Sequence, residues 1–317
     1  MPDFIHNDPD FKELIVIVAA DKGIDSALIE KDYWIMHTLY SLHQQGIEFE
    51  LKGGTSLSKG FGLIHRFSED IDLHIRTNFG LNIEGQEDKP KVREARKQFY
   101  DVLAASISVN GSTGIIRDHS FDDTDKYRSG GIRIFYNSHT PALSGLKDGI
   151  LLEAGFDTVT PNIPITISSW IWDYLVSIHL QNNYTDNTAK GVRCYHPGYT
   201  LIEKLQTIIR KYRTKNLVGA SSDLNLMRQY YDVYCLLGNP SILEFVGSPE
   251  YLIHKSKRIK GADNNIPLAE HPALLVEDEE LKKSYERMYL ATAKLYYNGQ
   301  PALEEVLARI HKHLKIL

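Results

Sequence analysis

The 317-residue sequence predicts an α+β protein, with a mixed sheet flanked by helices over residues 1–160 and a helical bundle over 161–317. Three observations lead there. Strict alternation in "DIDLHI" (70–75), with apolar runs such as "GGIRIFYN" and "GILLEAGF", marks strands. Helical spacing takes over after the breakers Pro161 and Pro164. The composition, 42% hydrophobic and 24% charged, is that of an ordinary globular chain able to bury a sizeable core.

Taken in order, "DSALIEKDYWIMHTLYSLHQQG" spaces Ile29, Tyr33, Met36 and Tyr40 on one helical face, with Asp25 or Ser26 as cap and Gly46 as stop. "IEFELK" alternates as a strand and runs into Gly53-Gly54. "SLSKGFGLI" reads as a short helix broken near Gly60 and Gly62, and "DIDLHI" as the next strand. Residues 88–107 suit an amphipathic helix. "GGIRIFYN" and "GILLEAGF" form an antiparallel pair joined by a loop over 138–148. Four or five helices follow, including "YTLIEKLQTIIRKYR", with the stripe Leu201, Leu205, Ile208 and Tyr212, and "LNLMRQYYDVYCLL". Further helices are expected over 279–297 and 301–317.

Composition narrows the setting. No window approaches the roughly 18 apolar residues of a membrane span. The N-terminus lacks the basic head and apolar stretch of a secretory signal. Two separated cysteines, Cys194 and Cys235, fit reduced thiols, so the expected location is cytoplasmic, without a membrane partner. A net charge of −5 gives no global sign of nucleic-acid binding. Two local basic clusters, His254–Lys260 and the set Lys204, Arg210, Lys211, Arg213 and Lys215, read either as solvated faces or as an RNA track.

The chemistry-bearing stretch is "LKGGTSLSKGFGLIHRFSEDIDLHI", residues 51–75. Strand periodicity puts Asp70, Asp72 and His74 on one face and Ile71, Leu73 and Ile75 on the other. Two like charges there are costly unless a cation joins them. Carboxylates roughly 7 Å apart along a strand suit Mg²⁺ or Mn²⁺, whose other ligands commonly come from substrate phosphates. Gly53, Gly54, Thr55 and Ser56 precede them at a strand-to-helix junction, where glycine permits close approach of a phosphate. Together these features describe an NTP site. Glu153, in an apolar strand, either completes the metal set, acts as general base, or pairs with Arg133. His74, outside the usual oxygen donors of Mg²⁺, belongs to the surroundings rather than to the ligand set.

The run "GGTSLSKGFGLIHRFSEDIDL" resembles the signature of the AbiEii/AbiGii-type nucleotidyltransferase toxins, relatives of the MenT toxins in the DNA-polymerase-β-like superfamily. "IEKDYW" (29–34) is similar to that family's Glu-Lys-Asp-aromatic helix. "EKLQTI" and "RQYYDVY" resemble its Lys-Leu and Arg-Asp-x-x-Asp helices, although Gln229 stands where the first of those aspartates is expected. The resemblance runs in patches from about 29 to 237. It implies a polymerase-β-like N-terminal domain and a helical domain contributing Lys204 and Asp232 to the cleft. It implies Asp70 and Asp72 as metal and catalytic residues, a set that Glu153 joins on the reading of its strand above, and Gly53, Gly54, Thr55, Ser56, Arg66, Ser68 and Lys204 as nucleotide contacts. Asp232 would fix Lys204 or the substrate. Implied too are transfer of NMP from an NTP to an RNA acceptor, a tRNA 3′ end, and the role of toxin beside an antitoxin encoded nearby in a phage-defence (abortive infection) pair. A small-molecule or protein acceptor, or a non-catalytic nucleotide-binding module, are the rival expectations.

Overall fold

The computed structural model describes residues 3–83, 89–157, 159–218 and 224–317. The chain divides into two compact units, one comprising Met1–Gly60 with Phe67–Tyr195, the other Phe61–Arg66 with His196–Leu317. The expected division at 160 lies 35 residues ahead of the break after Tyr195, and a short loop from the N-terminal half joins the second unit.

The first unit runs α1 (Phe11–Lys22), α2 (Ser26–Gln44), β1 (Phe49–Lys52), the short α3 (Gly53–Thr55), β2 (Asp70–Ile75), α4 (Pro90–Ser106), β3 (Ser112–Asp118), β4 (Ser129–Tyr136), β5 (Ile150–Gly155), β6 (Asn162–Ile167), α5 (Trp170–Ser177) and β7 (Ala189–Tyr195). α2 forms as its sequence predicts: the Asp25 carboxylate accepts from Ala27 N at 2.9 Å, and Gly46 ends the turn at φ +69°. Ile29, Tyr33 and Met36 are fully buried. Asp88, the expected start of α4, lies outside the described residues. Past α3 the helix widens to a π-turn over Ser56–Gly60, where a Cβ on Gly60 would meet Cys194 Sγ at 2.8 Å.

The strands form one seven-stranded sheet in the order β3-β4-β5-β2-β1-β7-β6. β4 and β5 are antiparallel, as their sequences suggest. β2 lies between β5, to which it is parallel, and β1, to which it is antiparallel. Beyond residue 160, β6 and β7 extend this sheet. Pro164 reads as a breaker, yet β6 is an edge strand, where a missing N–H costs no ladder bond on the open side. β7 hides its pattern behind Gly191 at φ +70° and the exposed Lys190 and Arg193.

The second unit is helical: α6 (Pro197–Val218), α7 (Leu224–Leu236), α8 (Pro240–Phe245), α9 (Pro249–Arg258), α10 (Pro272–Leu275), α11 (Glu279–Leu290) and α12 (Leu303–His313). The stripe of α6 is its core contact: Leu201, Leu205 and Ile208 are fully buried. No helix among the described residues is long and apolar enough to cross a membrane.

Candidate active site

In the first unit, β2 delivers the alternation its sequence encodes. Ile71, Leu73 and Ile75 are buried, while Asp70, Asp72 and His74 occupy the half-exposed face. Pairing then selects their neighbours. Asp72 stands opposite Glu153 on β5 and opposite Lys52 on β1. His74 stands opposite Glu50, whose carboxylate lies 3.2 Å from His74 Nδ1 and accepts from Asn162 Nδ2 at 2.9 Å. His74 thus belongs to a separate cluster around buried Glu50, and burial lowers its pKa.

Asp70, Asp72 and Glu153 thereby gather negative charge on one face. Burial first, and then Asp72 and Asp70, push the Glu153 carboxyl up to about 7, with Lys52 and Lys147 opposing. Arg133 is not the partner of Glu153. It binds Asp118 through Nε and Nη2 at 2.9 and 2.6 Å and donates to Asp148 O. Opposite Glu153 on β4 stands Gly131 instead.

Gly53 is required twice over. Its φ is +71°, and a Cβ there would sit 2.1 Å from Asp72 Oδ2. The carboxylate therefore packs on a bare α-carbon at the turn expected to meet phosphate. Gly54 and Thr55 are buried beside it. Thr55 Oγ1 donates to Asp70 O at 2.5 Å, which ties the turn to the start of β2. Ser56 is fully buried and its Oγ has no ordinary hydrogen bond, with the Cys194 thiol as a weak neighbour. Ser68 is half-buried and offers its carbonyl to Thr55 Oγ1 at 3.5 Å.

Three consecutive buried charges on α2 brace this region. Glu30 accepts from Ser138 Oγ, His139 N and Thr140 Oγ1 at 2.7, 2.8 and 2.6 Å. Lys31 donates to Lys147 O at 2.5 Å and lies 3.4 Å from Glu69 Oε2. Asp32 pairs with Lys59 at 2.8 Å and accepts from Trp170 N at 2.7 Å. α2 is buried along nearly its whole length, so each of these charges needs its own partner. Lys147, held in this way, places Nζ 3.0 and 2.9 Å from the two carboxylate oxygens of Asp70. Sequence reasoning passed over Lys147, an ordinary loop lysine by its neighbours; the charged triplet in an otherwise apolar helix was the available signal for its supports.

In the second unit, α6 and α7 bring Lys204 and Asp232 together: Nζ lies 2.9 Å from Asp232 Oδ2. Arg66 completes the group, donating from Nε and Nη2 to the same carboxylate at 2.7 and 2.6 Å. Arg66 and Asp232 are buried, and Lys204 is only 9% exposed. Burial works against the charge of Asp232, but Arg66 and Lys204 outweigh it and hold its pKa below the ordinary value. Arg66 thus anchors Asp232. Gln229, in place of an aspartate, donates to Asn225 O one turn earlier in α7.

The basic clusters are partly committed. Arg258 binds Glu203 at 2.7 Å, Arg213 binds Asp263 at 2.8 Å, and Lys255 donates to Leu317 O. The Lys215 side chain lies outside the described residues.

Among the described residues, no three His, Cys, Asp or Glu side chains are arranged as a ready-made metal cage. The donor chemistry nonetheless fits Mg²⁺ or Mn²⁺. Hard oxygen donors adjoin a side-chain-free turn, and the proton affinity of Glu153 records negative charge in excess on that face. Mg²⁺ typically takes one or two carboxylates and completes its shell with water and substrate phosphate. Asp70 and Asp72 meet that requirement without Glu153.

Residues 34–309 match the family model described as nucleotidyl transferase AbiEii toxin, Type IV TA system. Neither a curated protein nor a solved structure matches the chain.

Proposed function

We propose, from the premise that this chain belongs to the AbiEii nucleotidyltransferase toxin family of type IV toxin–antitoxin systems, that it transfers a nucleoside monophosphate from an NTP to an RNA, a tRNA 3′ end. The reading includes dependence on Mg²⁺ or Mn²⁺. Its main support is one juxtaposition: Asp72 packs on the bare α-carbon of Gly53 and stands in register with Glu153.

Asp70 and Asp72 would hold the divalent ion, which when bound offsets the charge on the reacting phosphate. Glu153 takes the proton of the acceptor hydroxyl, a task suited to a carboxyl poised near neutral pH. The hydroxyl oxygen bonds to the α-phosphorus and pyrophosphate leaves. Gly53 and Gly54 give the triphosphate room, and the Ser56 hydroxyl donates to it. Lys204 offers an ammonium to phosphate, and Asp232 orients that ammonium. The family pairs such a toxin with a cognate antitoxin, here encoded nearby, in a cytoplasmic abortive-infection system.

Purified protein incubated with labelled NTPs, Mg²⁺ and total tRNA should label RNA and release pyrophosphate. Asp70→Asn and Asp72→Asn should each lose about a hundred- to a thousandfold, the range expected when transition-state charge stabilisation is removed. Equal labelling by either variant would sink the proposal. One observation favours a second reading, in which the acceptor is a small molecule or a protein side chain: three of the basic residues expected to track RNA, Arg258, Arg213 and Lys255, are spent on Glu203, Asp263 and Leu317 O. Transfer to such an acceptor with no RNA labelling would decide for it. Nucleotide binding without pyrophosphate release on any acceptor would mark a non-catalytic module.

A further inference from the structure

We propose that Lys147 is a built-in counter-cation of Asp70, occupying that carboxylate before the divalent ion arrives and giving it up when the ion binds. Lys147 thereby sets the metal affinity. The inference rests on the assignment of Asp70 as a metal ligand under Proposed function.

Both Asp70 oxygens face the ammonium, at 3.0 and 2.9 Å. An ion ligated by Asp70 competes with Nζ for the oxygens that the ammonium spans, and its charge repels the ammonium at that range. The lysine is held there by its backbone. Lys147 N donates to Glu69 Oε2 at 2.8 Å and its carbonyl accepts from Lys31 Nζ at 2.5 Å. Glu69 and Lys31 are both buried. The start of the same loop is fixed by Glu30 through Ser138, His139 and Thr140. Two adjacent charges of α2 therefore clamp the loop that carries Lys147. The ammonium also stands 5.0 Å from the centre of the Phe121 ring, a favourable neighbour for a cation released from Asp70. The Lys147 and Asp70 side chains are about one-third exposed, which leaves the pair open to exchange with solvent ions.

The test uses the 317-residue chain without nucleotide and Mn²⁺ as the probe, titrated by calorimetry. Lys147→Met should bind Mn²⁺ about fivefold tighter than wild type, the ratio equivalent to an ion pair of about 1 kcal/mol. Lys147→Arg, whose guanidinium grips a carboxylate with two donors, should bind no tighter than wild type. In wild type itself, amine acylation read by mass spectrometry should modify Lys147 several-fold faster in saturating Mn²⁺. Equal affinity in wild type and Lys147→Met, or unchanged acylation on saturation, overturns the inference and leaves the metal reading standing. Absence of any Mn²⁺ binding overturns both.

Discussion

Replacing Glu153 by glutamine removes a carboxyl that the fold holds protonated well above its ordinary range. In the unfolded chain this group titrates near 4.5, and in the native sheet near 7, because burial and Asp72 oppose its charge. Between those values the native state binds more protons than the unfolded state, so stability from this group falls as pH rises. The difference of about 2.5 units, at about 1.4 kcal/mol each, gives a ceiling of about 3 kcal/mol at pH 8. At pH 5 the same linkage leaves under about 1 kcal/mol. Glu153→Gln keeps the shape and carries no charge, so it should be more stable than wild type at pH 8, with the gap closing toward pH 5. A gain of this size raises the unfolding midpoint by about 6–12 °C for a unit of this length. Thermal unfolding in EDTA at pH 5, 6, 7 and 8 measures it. The expected result is a growing advantage for the variant, alongside lost transferase activity. A pH-independent difference, or a variant less stable at pH 8, would refute the electrostatic account of this face.

Two further perturbations probe other parts of the molecule. Asp232→Ala leaves Arg66 and Lys204 as uncompensated buried charges and should cost about 3–5 kcal/mol, read by denaturant unfolding; a loss under about 1 kcal/mol would mean that the triad is not a buried unit. Gly53→Ala combines a left-handed backbone with a Cβ 2.1 Å from Asp72 Oδ2. The backbone alone costs about 1 kcal/mol, and transfer activity should fall at least about tenfold as Asp72 is pushed aside. Wild-type activity in this variant would show that Asp72 does not need its present place.

The parts of the fold legible in the sequence were those where one physical pattern acted alone. β2 alternates because one face is core and the other is polar, and α2 announces both ends through Asp25 and Gly46. β6 and β7 were hidden because edge position excuses Pro164 and because Gly191 and exposed cations break the pattern of a strand. The candidate site divides along the same line. Asp70, Asp72 and the glycine turn are contiguous and chemically distinctive. The register of Glu153 against Asp72 depends on which strands pair, and sequence could only offer it as one of several options. Lys147 was invisible, since its position comes from backbone contacts to Glu69 and Lys31, residues far apart in the chain. The tie between Arg66 and Asp232 was likewise hidden, since 166 positions separate the two in sequence.

The loop Phe61–Arg66 makes the two units inseparable by a single cut. A fragment beginning at His196 would keep Asp232 and Lys204 but would lack the guanidinium that holds both oxygens of that aspartate. A fragment ending at Tyr195 would carry Arg66 with no carboxylate to receive it. Neither half is a portable module, so recombination that shuffles domains at one crossover would leave Asp232 with Lys204 alone and part Arg66 from its carboxylate. Exchange of the helical unit between relatives has to bring the loop with it, or supply a second cation for Asp232.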